Sequence, residues 1–278
     1  MPESMTDSSP AETVSDDMVE RFARDGAVCL RAVIDQTQVD ALSQAVDVAL
    51  STPGPYQITQ SSGDDPGQFS TEYYASRRVP GISSFVRNSP LAQIASRLLD
   101  SKEIRFFFDG LFVKAPRTQK PSHWHQDQPY YPVDGQQLLV IWTPLDTVDA
   151  AQSLQIIKGS HRWGRWFVPV LFRNDATFAN DDGRFAPLPD IDAGPKDYDI
   201  MSWSVRPGDC IAFHALCLHG ASGNPTMQRR RALSSTWLGD DTVYAKRSGT
   251  LEPHFAGLDF PQNSRLTDPD EFPLLWPR

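Results

Sequence analysis

The stretch DCIAFHALCLHGASGNPTMQRRRALSSTW (209–237) contains two short apolar runs joined by a Gly/Ser/Asn/Pro turn. His219 closes the first run, and Arg229, Arg230 and Arg231 open the second. Runs of this length, rich in β-branched and aromatic residues and bounded by turn formers, read as antiparallel strands. The pattern recurs upstream in EIRFFFDGLFVKAP (103–116), SHWHQDQPYYP (122–132), QLLVIWTPLDTV (137–148) and SLQIIKGSH (153–161). Together these segments predict a sandwich or small barrel, a mainly β fold with flanking helices.

The front of the chain differs. Ser15, Asp16 and Asp17 are N-cap residues ahead of MVERFARDG, where Val19, Phe22 and Ala23 share a helical face and Gly26 supplies the stop. AVCLRAVI (27–34) reads as a strand, and Asp35 with Gln38 opens a second helix to about residue 51. SPLAQIASRLLD (89–100) predicts a third. Two polar stretches, 52–81 and 172–200, read as loops and candidate lids. Residues 1–14 read as a mobile tail, and 15–278 as a single domain.

A formal charge of −9 argues against a surface built for nucleic acid or anionic membrane. No apolar stretch approaches the roughly 18 residues of a span. Three cysteines without a CxxC suggest free thiols in a reducing, cytoplasmic setting.

In a strand, His123, His125 and Asp127 would project from one face, and a histidine and carboxylate two apart can hold a metal ion. Taken alone, HxD fits a solvated edge strand equally well. The arginine run likewise reads either as a surface basic cluster or as a guanidinium at a barrel mouth in need of an anion.

The combination resembles the phytanoyl-CoA dioxygenase-like family of Fe(II)/2-oxoglutarate-dependent oxygenases. The residues carrying the likeness are His125-Gln126-Asp127, Trp142 in IWTPLD, Gly159-Ser160-His161, Pro207-Gly208-Asp209, and His219 followed eleven residues later by Arg230. FARDGAVCLRAVI near the start and FPLLWPR at the end extend it over nearly the whole chain from about residue 17.

The resemblance implies a double-stranded β-helix, or jelly-roll, core and a facial triad of His125, Asp127 and His219 for Fe(II). It implies 2-oxoglutarate and O2 as cosubstrates, with Arg230 on the far carboxylate and Gln126 and Trp142 lining the cosubstrate pocket. Where many relatives carry a serine two residues after the distal histidine, this chain has Ala221, with Ser222 one further on. Lys114 is a candidate for steering a carboxylate or, equally, a snorkelling surface lysine. His123, Trp124, Tyr130 and Tyr131 are candidates for the substrate side or for supporting the ligands.

The implied reaction is hydroxylation of an unactivated C–H bond of a small molecule, with release of succinate and CO2. Asp127 stands where related halogenases lack a carboxylate, which favours hydroxylation. Competing readings are a cupin-type dioxygenase using His123 and His125, a hydrolytic zinc enzyme, and a non-catalytic sensing protein on the same fold. QDQPYYPVDG lacks the glutamate that the cupin reading needs, and a zinc hydrolase leaves Arg230 unexplained. His214 and His161 read as packing and backbone-bonding residues, and His254 carries no signal. For the substrate, Phe69, Tyr73 and Tyr74 could form an apolar wall, while Arg77, Arg78, Arg162 and Arg165 could bind an anion.

Overall fold

The structure is a computed structural model and describes residues 14–60, 65–170, 176–178, 183–247, 255 and 258–277. The proposed tail, apart from Val14, lies outside the described residues, as do His254 and parts of the second polar stretch.

Two sheets face each other. The strands used below are β1 (Ala27–Leu30), β2 (Gln57–Gln60), β3 (Phe69–Tyr73), β4 (Ile104–Lys114), β5 (Ser122–His125), β6 (Leu138–Pro144), β7 (Gln155–Ile157), β8 (Ile200–Met201), β9 (Cys210–His214), β10 (His219–Ala221), β11 (Arg230–Leu238) and β12 (Leu274–Trp276). The major sheet runs β1-β9-β6-β11-β4-β3-β2, with β12 also paired to β4. The minor sheet runs β8-β7-β10-β5. This is the expected jelly-roll, with sequence-distant strands interleaved.

Alternation along the major sheet divides its residues between two cores. On β6, Leu139 and Ile141 join the core beneath the helices, whereas Leu138, Val140 and Trp142 point between the sheets. Both faces are covered, so β6 is buried throughout and reads as an unbroken apolar run. Helices α1 (Asp16–Asp25), α2 (Gln36–Ser51), α3 (Pro80–Asn88) and α4 (Leu91–Leu99) bear the residues that cap the outer face. Ser15 accepts from the Met18 N–H at the start of α1. At its end, Gly26 takes φ 87°, where a Cβ would lie 2.4 Å from both Cys217 Sγ and His161 Nδ1. Only glycine fits there. Among the described residues, no helix is long and apolar enough to cross a membrane.

Two parts of the front differ from expectation. The stretch 52–81 is not all loop, because β2 and β3 form a hairpin that extends the major sheet, with Phe69 to Tyr73 in register with Lys114 to Gly110. FSTEY is too short to show a period, and the long free edge of β4 orders it. The α3 helix was also missed. Its Ser-rich sequence hides an i, i+3, i+4 set of Ile82, Phe85 and Val86, all buried, and Pro80 occupies the first turn where its missing N–H costs nothing.

Candidate active site

His125 ends β5 and His219 begins β10, and the two are directly paired across these antiparallel strands. Their rings lie 4.1 Å apart between centroids. Asp127 does not sit on the strand. The chain turns after His125, and Asp127 adopts a helical backbone conformation ahead of a short 3₁₀ turn. Its N–H donates to the Ala215 carbonyl at 2.8 Å, tying it to the segment that leads into His219. Its oxygens lie 3.3 Å from His125 Nε2 and 3.7 Å from His219 Nε2. One donor atom from each of the three residues falls within a 4.8 Å span.

Backbone carbonyls set both imidazoles for metal binding. His125 Nδ1 lies 2.7 Å from its neighbour's carbonyl at His123, and His219 Nδ1 lies 3.0 Å from that of Cys217. A carbonyl can only accept, so each Nδ1 carries the proton and each Nε2 presents a lone pair. Burial, followed by the neighbouring His125 ring, pushes His219 down to about 4, which keeps it neutral at physiological pH. Burial opposes ionisation of Asp127, but in the acid range where it titrates, the charge of His219, then His125 and a hydrogen bond from the Tyr131 hydroxyl, outweigh it and hold the carboxyl below its usual range. Two neutral nitrogens and one carboxylate on a single side suit a divalent first-row metal with open positions facing the cavity.

The cavity lies between the sheets. Phe108, Phe112 and Lys114 of β4, Phe69 and Tyr73 of β3, Tyr130, Tyr131, Trp142 and Leu154 line it beside the triad. From β11 come Arg230, Ala232, Ser234 and Thr236, the inward half of the strand.

The register resolves the arginine run. Arg230 faces inward opposite Lys114. Arg231 turns out to Asp146 at 2.9 Å and Asp47 at 3.0 Å, and Arg229 also pairs with Asp47. Arg230 donates to the Gln152 carbonyl but has no carboxylate partner among the described residues, and burial pushes its guanidinium down to about 10. Lys114 is 1% exposed and is no snorkelling lysine.

Several expectations need correction. Gln126 does not line the cavity: its amide donates to the Arg165 and Leu216 carbonyls and accepts from the Phe167 N–H, which uses it up in bracing loops. The Ser222 hydroxyl donates to the Ala151 and Gly223 carbonyls, so only the Ser222 carbonyl turns toward Lys114. A register shift between β5 and β10 breaks the alternation: Ser122 and His125 line the cavity, and His123 does not. Trp124 points to the outer face of the minor sheet, where its indole donates to Asp192 at 2.9 Å and packs with Ile157, Ile191 and Leu218.

Tyr130 and Tyr131 do line the cavity. Of the aromatic residues in the first polar stretch, Phe69 and Tyr73 reach the wall, but Tyr74 turns toward Tyr56 and Arg77. Arg77 and Arg78 are held by Glu271 and Glu72, and none of Arg77, Arg78, Arg162 and Arg165 lines the cavity. His161 bonds the Ala23 carbonyl and His214 that of Gln136, as packing residues would. Phe108, Phe112, Leu154, Ser234 and Thr236 were missed; inward phase along β4 and β11 was the signal that could have found the strand residues.

Fold and site together define a class: a double-stranded β-helix protein with a two-histidine, one-carboxylate facial triad at an aromatic-walled cavity. Residues 22–232 match the sequence profile of phytanoyl-CoA dioxygenase (PhyH). The chain belongs to that family.

The dioxygenase FUM3 of Gibberella moniliformis is 22% identical over 250 residues, spanning 81% of this chain and 72% of its own. Among solved structures, the non-heme alpha ketoglutarate dependent carbocyclase SnoK from nogalamycin biosynthesis superposes with a TM-score of 0.74 at 23% identity, over 95% of this chain and 97% of its own. EctD from S. alaskensis, solved with 2-oxoglutarate and 5-hydroxyectoine, superposes at 0.69 with 21% identity over 93% and 88%. At such identities the likeness is one of fold.

Proposed function

We propose that this protein is an Fe(II)- and 2-oxoglutarate-dependent dioxygenase that hydroxylates an unactivated C–H bond of a small molecule. The observation that carries this reading is the triad itself, with both Nε2 lone pairs and an ionised Asp127 aimed at one point of a cavity that Arg230, without a carboxylate partner among the described residues, also lines. The chemistry supplied by Fe(II), 2-oxoglutarate and O2 when bound is oxidative decarboxylation to succinate and CO2 coupled to C–H oxidation.

The protein's part is placement and shielding. His125, Asp127 and His219 hold the metal, and the Tyr131 hydroxyl fixes the Asp127 carboxylate. Arg230 takes the far carboxylate of the cosubstrate by a charge-assisted pair. Trp142, opposite Ser234 on the neighbouring strand, walls the cavity. The aromatic side chains exclude water from the reacting centre. Residues 15–278 act as one domain, with 52–81 as a fixed wall built on the β2–β3 hairpin and 172–200 as a lid. Phe69 and Tyr73 of the first line the cavity, and Phe178 of the second stacks edge-on against Tyr130. The free thiols support a cytoplasmic setting.

Anaerobic addition of Fe(II) and 2-oxoglutarate should give a weak visible charge-transfer band and, on exposure to air, succinate. No band in the wild type, or a band surviving in the Asp127→Ala, His219→Ala double variant, would refute the assignment.

A further inference from the structure

The cavity has a charged end and an uncharged wall. Tyrosines aside, the ionisable side chains that line it are His125, Asp127, His219, Arg230 and Lys114. The first three converge on the metal position, and Arg230 takes the far carboxylate of the cosubstrate. With the dication and the dianion in place, Asp127 and Arg230 complete a neutral set. Lys114 stands at the Arg230 end, its ammonium held by the Ser222 carbonyl at 2.6 Å and the Ala221 carbonyl at 3.3 Å. Among the described residues, no charged side chain stands on the rest of the wall.

That wall is the inner face of four adjacent strands. Tyr73 of β3, Gly110 of β4, Ser234 of β11 and Trp142 of β6 form one cross-strand row. At about 4.8 Å per strand the row is about 14 Å across, the breadth of a fused ring system and more than an alkyl chain fills. Phe108 and Phe112 stand two residues to either side of Gly110, on the same face. A Cβ on Gly110 would lie 3.0 Å from the Phe112 ring and 3.3 Å from the Tyr73 ring, so the bare glycine lets both rings lie down against the sheet and keeps the space above them open. Tyr73 meets Phe112 edge-on, with 6.3 Å between centroids. In the middle of the row, Ser234 lines the cavity, and its hydroxyl makes no hydrogen bond among the described residues. Lys114 is four residues along β4 from Gly110, about 13 Å away, and is turned to its two carbonyls.

We propose that the substrate is an uncharged, ring-bearing molecule whose apolar face packs on Tyr73, Phe108 and Phe112 and whose hydroxyl or carbonyl group bonds Ser234. This deepens the reading of the cavity as a metal and 2-oxoglutarate site, and rests on it. A charged substrate would leave water for a surface that offers no counter-charge, at a cost that one hydrogen bond does not offset.

The test titrates protein loaded with Mn(II) and 2-oxoglutarate by calorimetry at neutral pH. The probes are 2-(2-naphthyl)ethanol, its charged analogues 2-naphthylacetate and 2-(2-naphthyl)ethylamine, and 1-decanol. The naphthyl alcohol should bind, and the two charged analogues and decanol should bind about tenfold or more weakly by comparison. Ser234→Ala should weaken the naphthyl alcohol about threefold to tenfold. Gly110→Val, which drives the Tyr73 and Phe112 rings into the cavity, should weaken it about tenfold, and both variants should keep wild-type affinity for 2-oxoglutarate. Gly110→Ala, the milder change, serves if the valine variant folds poorly. A charged analogue or decanol that binds as tightly as the naphthyl alcohol, a naphthyl alcohol that does not bind, or an affinity that neither variant alters would overturn the proposal. A wild type that binds no 2-oxoglutarate would instead overturn the functional reading on which it rests.

Discussion

Replacing Arg230 by methionine separates what the site costs from what it binds. Burial alone pushes the guanidinium from its ordinary value down to about 10. At neutral pH it is charged both folded and unfolded, so that displacement corresponds to about 3 kcal/mol against the ligand-free fold. Removing it also loses the bond to the Gln152 carbonyl, worth about 1 kcal/mol. The net gain of about 2 kcal/mol should raise the melting temperature of the ligand-free variant by about 4 °C.

Ligand should do the reverse. In the wild type, metal-loaded protein with 2-oxoglutarate at about one hundred times its Kd gains about 2.7 kcal/mol. Truncating one partner of a desolvated charge pair costs about 2 kcal/mol or more, at least about 30-fold in affinity, which removes most of that gain. Differential scanning fluorimetry with Mn(II), with and without 2-oxoglutarate, reads both effects. A ligand-free variant that melts several degrees lower, or one that keeps the full ligand-induced rise, would refute the reasoning.

Two further outcomes follow from the same structure. Burial, partly offset by hydrogen bonds from the Ser76 hydroxyl and N–H, pushes Asp109 up to about 6. With the folded value above the unfolded one, its contribution is fully present below about pH 4 and is lost as pH rises to 6. The Asp109→Asn variant should therefore gain on the wild type in unfolding free energy from pH 4 to pH 7, by up to about 3 kcal/mol, and a constant difference in denaturant melts would refute this. Gln126→Leu strips three hydrogen bonds from the turn that precedes Asp127. It should cost about 2 kcal/mol or more and lower bound Fe(II) measured by metal analysis, and unchanged stability and loading would count against its bracing role.

The triad and Arg230 were legible through the family resemblance carried by His125-Gln126-Asp127 and by His219 with Arg230 eleven residues on; strand and turn signals alone left both the HxD pair and the arginine run open. Gln126 was misread for a physical reason. It lies between two ligands in sequence, but the chain leaves the strand there, and its side chain swings to the carbonyls of Arg165 and Leu216. His123 was misplaced because the alternation rule holds only in a regular ladder, and β5 shifts register against β10. The β2–β3 hairpin was invisible because its stability comes from β4 rather than from its own composition.

By itself, the sequence determined through local periodicity and turn chemistry that the chain builds a mainly β sandwich behind a helical front, whereas the triad of His125, Asp127 and His219 was implied by the family resemblance, since HxD alone fits an edge strand equally well. The resemblance pointed to Arg230, but the physical reason that it, rather than Arg229 or Arg231, enters the cavity lies in the tertiary structure. The phase of β11 is set by pairing with β4 and β6, and by Asp47 and Asp146 drawing its neighbours outward. The same pairing placed Lys114 beside Arg230, a juxtaposition spanning more than a hundred residues that no local pattern encodes.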